Sequence, residues 1–316
     1  MGADLTFGPS NQQWHYSPSS KTYDLSGDSP RKLTIAATEE PEETFFTISP
    51  EATALVIIDM QNFFLDAKCM DHPNGLKAVE PTIKIISKCR EAGIQIIWVN
   101  WGLTDQDLAG MPAGVMRGFM ADVLQCSTKS ILSYTGLGSD LGGSKGRCLV
   151  SGTWNADIYE PLKAHVRASD LHCAKSRMSG LWTPEQPLWK TLKERKKSTV
   201  MFAGVNTDQC VLGTLVDGYN AVSLLMADDQ VTCHVLASFS CTTFHSRGFS
   251  KVTNTPGLQR VGTVSWLTIV VALLRKEPKR LHFQMSLNVM DLSLIAQAYS
   301  PRMWGEDQML IRGLIE

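Results

Sequence analysis

Three residues of this chain are of types that can share a proton and attack a carbonyl carbon: Asp59, Lys175 and Cys210. Asp59 follows the apolar run "ALVII", Lys175 follows "DLHCA", and Cys210 comes just after "TVMFAGVNT". Such runs, bounded by Gly and polar turns, are the pattern of strands buried on both faces of a parallel sheet. Open α/β sheets bind ligands at the carboxyl ends of their strands, so all three residues are expected at one end of the molecule. A thiol in the first turn of a helix feels the positive end of the helix dipole, and a nearby ammonium favours thiolate in the same way. A carboxylate can take the thiol proton. The turn "GVNTDQC" supplies backbone N–H groups without helical partners, which an oxyanion needs. The combination describes nucleophilic acyl transfer. Taken singly, each residue has a plainer reading: Asp59 as an N-cap for the "MQNFF" turn, Lys175 as a solvated loop lysine, Cys210 as a small buried side chain.

The elements that must position these residues follow from hydrophobic period. In "KAVEPTIKIISKCREAG", Val79, Ile83, Ile86 and Cys89 stand near helical spacing and Gly93 marks the stop. "IQIIWVNWG" is then a second buried strand. Strand, helix, strand is a βαβ unit, and its repetition gives a parallel sheet with helices on both faces. The rhythm resumes with "DLHCAK" as a strand, "PEQPLWKTLKERK" as a helix with Pro184 near its start, "STVMFAG" as a strand and "TDQCVLGTLVDGYN" as a helix. Residues 1–48, rich in Ser, Pro and charge, read as an irregular N-terminal arm. Residues 102–150, with "GLGSDLGGSKG", read as a long loop region of the kind that forms lids.

Composition narrows the function classes. The 30 Lys and Arg against 31 Asp and Glu are interspersed and give a formal net charge of −1. This leaves no electrostatic footprint for nucleic acid and no polybasic patch for a membrane, so a small-molecule partner is expected. The 8 cysteines are scattered without CxxC pairs or zinc spacing, which suits a reducing compartment. The N-terminus lacks a charged n-region and an apolar h-region, and a cytoplasmic location is expected. Val261 to Leu274 is shorter than the ~20 residues of a membrane span and reads as a buried segment. No GxGxxG follows "ALVIID", which disfavours a dehydrogenase.

Four stretches, "ALVIIDMQNFF", "GTWNADIYEPL", "KSRMSGLW" and "AGVNTDQCVLGTLVDGYN", resemble in order and spacing the isochorismatase-like cysteine hydrolases, over residues 54–219. The resemblance implies a Rossmann-like three-layer α/β/α fold with a central, mainly parallel sheet. It implies Asp59 as general base, Lys175 as a polarising cation and Cys210 as nucleophile. It also implies a cis peptide between Val205 and Asn206 that aims the amides of Asn206 and Cys210 at an oxyanion. The chemistry implied is hydrolysis of an amide or ureido C–N bond through a thioester, without a cofactor. Substrate contacts are expected from Gln61, Phe64, Asn100, Trp101 and Trp182, an aromatic and hydrogen-bonding wall for a small planar molecule. Sheet packing is the plainer reading of Trp98 and Trp101. A homo-oligomer, its site partly covered by a neighbour, is a further implication.

The chain also departs from the family. Its nicotinamidases carry a metal on an Asp-x-His motif, but "MDHPNG" sets Asp71 and His72 side by side, so no metal is expected. The resemblance places the chain in the metal-free amidohydrolase branch, with vinyl ether hydrolysis of the isochorismatase type or an inactive homologue as alternatives. "AVSLLMADD", Ala221 to Asp229, can serve as the next strand and closes a hydrolase domain over residues 49–229. Residues 230–316 have no clear period. They are either a genuine extension or sequence translated from an unspliced intron or shifted frame.

Overall fold

The computed structural model describes residues 2–8, 13–39, 42–119, 136–220, 234–237, 275–277, 280–282 and 285–287. The continuous apolar run forms β6 (Thr53–Ile58), every residue of it buried. Short helices α1 (Asn62–Leu65) and α2 (Pro73–Lys77) lead into α3 (Val79–Ala92). Gly93 ends α3 in the left-handed conformation at φ 80°, and Ile94 N–H donates back to the Cys89 carbonyl at 2.8 Å. That closure is the reason a glycine stands there. Next come β7 (Gln95–Trp101), β8 (Leu171–Lys175), α7 (Pro187–Glu194), β9 (Thr199–Gly204) and α8 (Leu212–Asn220).

These strands form one parallel sheet in the order β10-β9-β6-β7-β8, where β10 is His234–Ala237. The chain steps from β6 outward to β7 and β8, then crosses back to place β9 on the other side of β6. Right-handed crossovers therefore put α3 and α7 on opposite faces, the doubly wound α/β arrangement. The expected strand over 221–229 lies outside the described residues, as does 261–274, and the described parts of the tail are β10 and three short strands, Arg275–Glu277, Arg280–His282 and Met285–Leu287. No helix among the described residues is long and apolar enough to cross a membrane.

Three expectations are corrected. The N-terminal segment is no irregular arm: β1 (Leu5–Phe7), β2 (Trp14–Ser17), β3 (Thr22–Asp24), β4 (Leu33–Glu39) and β5 (Glu42–Ile48) form a second, mostly antiparallel sheet. β1, β2 and β3 are only three or four residues long, and Thr and Glu interrupt the apolar residues of β4 and β5, so no continuous apolar run marks them. Partners distant in sequence hold it, as in Tyr23 stacked on Phe46 at 5.3 Å and Ile35 paired with Phe46 across the β4–β5 hairpin. Helix α7 begins at Pro187 rather than near Pro184; its N-cap Gln186 takes the extended conformation that a following proline favours. Between β7 and β8, the expected loop region, 102–150, contains α4 (Asp105–Ala109) and α5 (Ala113–Gly118), and α6 (Glu160–Lys163) follows it. A capping box between Thr104 and Asp107 starts α4.

Candidate active site

The site lies where β6 and β9 run side by side and the chain leaves them in opposite directions, the switch point at which doubly wound sheets bind ligands. Asp59 follows β6 at φ 53°, a left-handed conformation that Asp tolerates better than most residues. Its N–H donates to the Val99 carbonyl at 2.9 Å, which fixes the bend against β7. Gly204, at φ 121°, ends β9 opposite Ile58, and a Cβ there would fall 2.0 Å from the Ile58 carbonyl oxygen. Only glycine lets the two strand ends meet this closely. The Val205–Asn206 peptide beyond it is cis.

Lys175 ends β8 and reaches inward. Its Nζ stands 2.9 Å from Asp59 Oδ2, with side-chain exposures of 1% and 0%. The ammonium also donates to the Arg177 carbonyl at 3.1 Å. Trp101 is the register partner of Lys175 across β7 and β8, so both project from one face, and the ammonium lies 3.9 Å from the centre of its ring. The other Asp59 oxygen accepts the Trp101 backbone N–H at 3.3 Å.

Cys210 sits in a single π-helical turn, Thr207–Val211, that leads into α8, and it is 5% exposed. Burial pushes its thiol up to about 12. The Lys175 ammonium and the Trp101 indole pull it down, while the Asp59 charge and the hydrogen bond the thiol gives Asp59 hold the proton on sulfur. Burial also raises Asp59, against Lys175, Cys210 and the Trp101 amide. Burial therefore favours the thiol over the thiolate that helix dipole and lysine would favour in water. Desolvation outweighs both in this interior.

An isochorismatase domain model matches residues 53–221, more than half of the 316 residues and all of the strands and turns just described. The chain belongs to the isochorismatase domain family. It is 27% identical over 197 residues to the ureidoacrylate amidohydrolase RutB of Caulobacter segnis, covering 60% of this chain and 74% of that one. Identity to the RutB protein of Acinetobacter baylyi is 28% over 186 residues, covering 57% and 69%. Among solved structures, a cysteine hydrolase from Pseudomonas syringae pv. phaseolicola aligns with a TM-score of 0.44 at 19% identity, covering 64% of this chain and 78% of that one.

Within this isochorismatase domain, the residues expected to touch substrate separate into different positions. Gln61 is fully committed to the backbone: Nε2 donates to the Trp101 and Ala156 carbonyls at 2.8 and 2.6 Å, and Oε1 accepts Trp101 N–H at 3.0 Å. It braces β7 instead of lining a wall. Phe64 is packed into the core. Asn100 pairs with Ala174 and, by strand alternation, points to the face opposite Trp101 and Lys175. Trp101 is buried under Lys175, while Trp182 stays 44% exposed with the Arg177 guanidinium 5.2 Å from its ring. Trp98 does pack in the sheet, donating to Asp170 Oδ2 at 3.0 Å. Asp71 is exposed and His72 turns Nδ1 toward the Phe64 carbonyl at 3.0 Å; among the described residues no group of three or more His, Cys, Asp or Glu could hold a metal ion.

Three residues that the sequence reading passed over shape the site. Thr214, fully buried on α8, donates to the Cys210 carbonyl at 2.6 Å and accepts Gly180 N–H at 3.0 Å, tying the cysteine turn to the loop after Lys175. Phe119, just past α5, meets the Trp101 ring edge-on at 5.2 Å. Asn155 accepts Leu149 N–H and donates to the Lys145 and Arg147 carbonyls, holding the 145–155 loop together. Thr214 lies in "AGVNTDQCVLGTLVDGYN" and Asn155 in "GTWNADIYEPL", but nothing in their spacing distinguished Thr214 from an ordinary helix threonine or Asn155 from an ordinary loop asparagine.

Proposed function

We propose that the protein is a cysteine hydrolase that cleaves an amide or ureido C–N bond of a small molecule through a thioester on Cys210. The observation that carries this reading is the buried Lys175–Asp59 ion pair beside a protonated thiol. Moving the thiol proton to Asp59 turns carboxylate and thiol into carboxylic acid and thiolate. Lys175 acts on both groups, so the ammonium faces one negative charge before and after the move. A charge-conserving proton shift is the kind a low-dielectric interior tolerates.

As the proton leaves, sulfur bonds to the substrate carbonyl carbon and the π pair moves to oxygen, where the Asn206 and Cys210 amides receive it. The C–N bond then breaks, and Asp59 returns the proton to the departing ammonia or amine. Water next gives a proton to Asp59 and bonds to the thioester carbon; the C–S bond breaks and sulfur recovers the proton. The relatives named ureidoacrylate amidohydrolases make ureido acids the first substrate class to try.

The test is ammonia release from a panel of ureido acids and simple amides, by wild type, Asp59→Asn and Cys210→Ser. The reading expects release with at least one ureido or amide substrate, a fall of about 10²–10⁴-fold in Asp59→Asn, and loss in Cys210→Ser. Release that survives Cys210→Ser would overturn it, as would vinyl ether cleavage in the absence of any C–N hydrolysis.

A further inference from the structure

Trp101 is 1% exposed, yet its indole Nε1 has no hydrogen-bond partner among the described residues. The other buried tryptophans among the described residues, Trp98 and Trp189, donate to Asp170 Oδ2 at 3.0 Å and to the Leu181 carbonyl at 2.9 Å. A buried donor left unmade carries a desolvation cost that folding ordinarily avoids. The Trp101 side chain approaches the Cys210 thiol as a donor and pulls its pKa down, yet the contact falls short of hydrogen-bond geometry. A neutral thiol is a weak acceptor and a thiolate a strong one. The ring cannot turn away, because Gln61 holds the Trp101 backbone at both N–H and carbonyl, and Phe119 packs against the indole. Its face meanwhile carries the Lys175 ammonium at 3.9 Å.

We propose that Trp101 is a positioning residue with two functions: its ring face holds the Lys175 ammonium beside Asp59, and its indole N–H is a donor kept for the sulfur when it becomes anionic. The inference rests on Cys210 being the nucleophile of the proposed hydrolase. It assigns Trp101 to the proton transfer instead of the substrate wall. The face is supplied by any aromatic ring, the N–H only by the indole, so the two functions can be separated by substitution.

The experiment follows alkylation of Cys210 by iodoacetamide across neutral to alkaline pH, without substrate, with the modified peptide mapped by mass spectrometry. Wild type, Trp101→Phe and Trp101→Leu are compared, each checked for folding by circular dichroism. Trp101→Phe keeps the face and loses the donor; the expected result is alkylation about tenfold slower at fixed pH, with the pH profile moved to higher pH. Trp101→Leu loses both and is expected to be slower again. A folded Trp101→Phe whose rate and profile match wild type overturns the proposal and leaves the hydrolase reading standing. A wild-type Cys210 that resists alkylation at every pH overturns both. Should Trp101→Phe fail to fold, a benzothienylalanine at position 101, with the indole shape but no N–H, is read by the same two outcomes.

Discussion

Replacing Lys175 with Met removes one half of an ion pair that has no access to water, and the structure sets the size of the effect. At 2.9 Å and an effective dielectric near 20, the attraction is about 6 kcal/mol. Desolvation of both groups offsets part of this, and breaking a buried pair from one side costs about 3–5 kcal/mol. Asp59 can escape by taking up a proton, since burial already raises its pKa and Lys175 is the largest influence opposing that rise. The sign follows. A carboxyl whose folded pKa lies above its unfolded value of about 3.9 contributes stability that is present below that value and lost as pH rises through the folded pKa. Lys175→Met is therefore least destabilised in acid and progressively more so toward neutral and alkaline pH. Urea denaturation at several pH values, with Asp59→Asn and the double variant completing a thermodynamic cycle, measures this. The double variant should be more stable than the sum of the singles. A loss under about 1 kcal/mol at neutral pH, flat with pH and additive in the cycle, would refute the reasoning.

The remaining predictions concern the supports of the cysteine and its proton. Thr214→Val leaves the Gly180 N–H without its acceptor and removes the hydroxyl donor to the Cys210 carbonyl; it should cost about 1–3 kcal/mol in urea and lower kcat more than it changes KM. Gly204→Ala sets a Cβ 2.0 Å from the Ile58 carbonyl at a positive φ, and should lose at least about 3 kcal/mol or fail to accumulate as soluble protein. The Cys210 thiol, raised from 9.0 to about 12 by burial, stabilises the folded state below pH 9 and loses that contribution as pH climbs toward about 12. The stability difference between wild type and Cys210→Ala should shrink over that range. Near neutral pH the two should show no difference in thiolate absorbance.

The parallel sheet was legible because β6, β7 and β9 are runs of apolar residues long enough to need burial on both faces, and Gly93 could only be a helix stop. Asp59, Lys175 and Cys210 were legible because the first two stand at strand ends and the third in the turn after a strand, so topology alone brings them to one end of the sheet. The N-terminal sheet was not, because its strands are either three or four residues long or interrupted by Thr and Glu, and they acquire meaning only through partners such as Tyr23 on Phe46. The positions of the residues expected to form a substrate wall were hidden for a related reason. Asn100 and Trp101 are adjacent in sequence, and adjacency on a strand means opposite faces. Gln61 looked available because its three hydrogen bonds run to backbone groups 40 and 95 residues away. The protonation state of Cys210 was also beyond the sequence, since it depends on how completely water is excluded, and that is a property of the packed interior.

The measurement that tests the central claim most directly is mass spectrometry of the enzyme quenched with acid during turnover of a ureido or amide substrate. The account predicts an added acyl mass on the peptide that carries Cys210, absent from Cys210→Ser and decaying as substrate is exhausted. Turnover with no adduct on Cys210 at any quench time, or with an adduct on another residue, would contradict it.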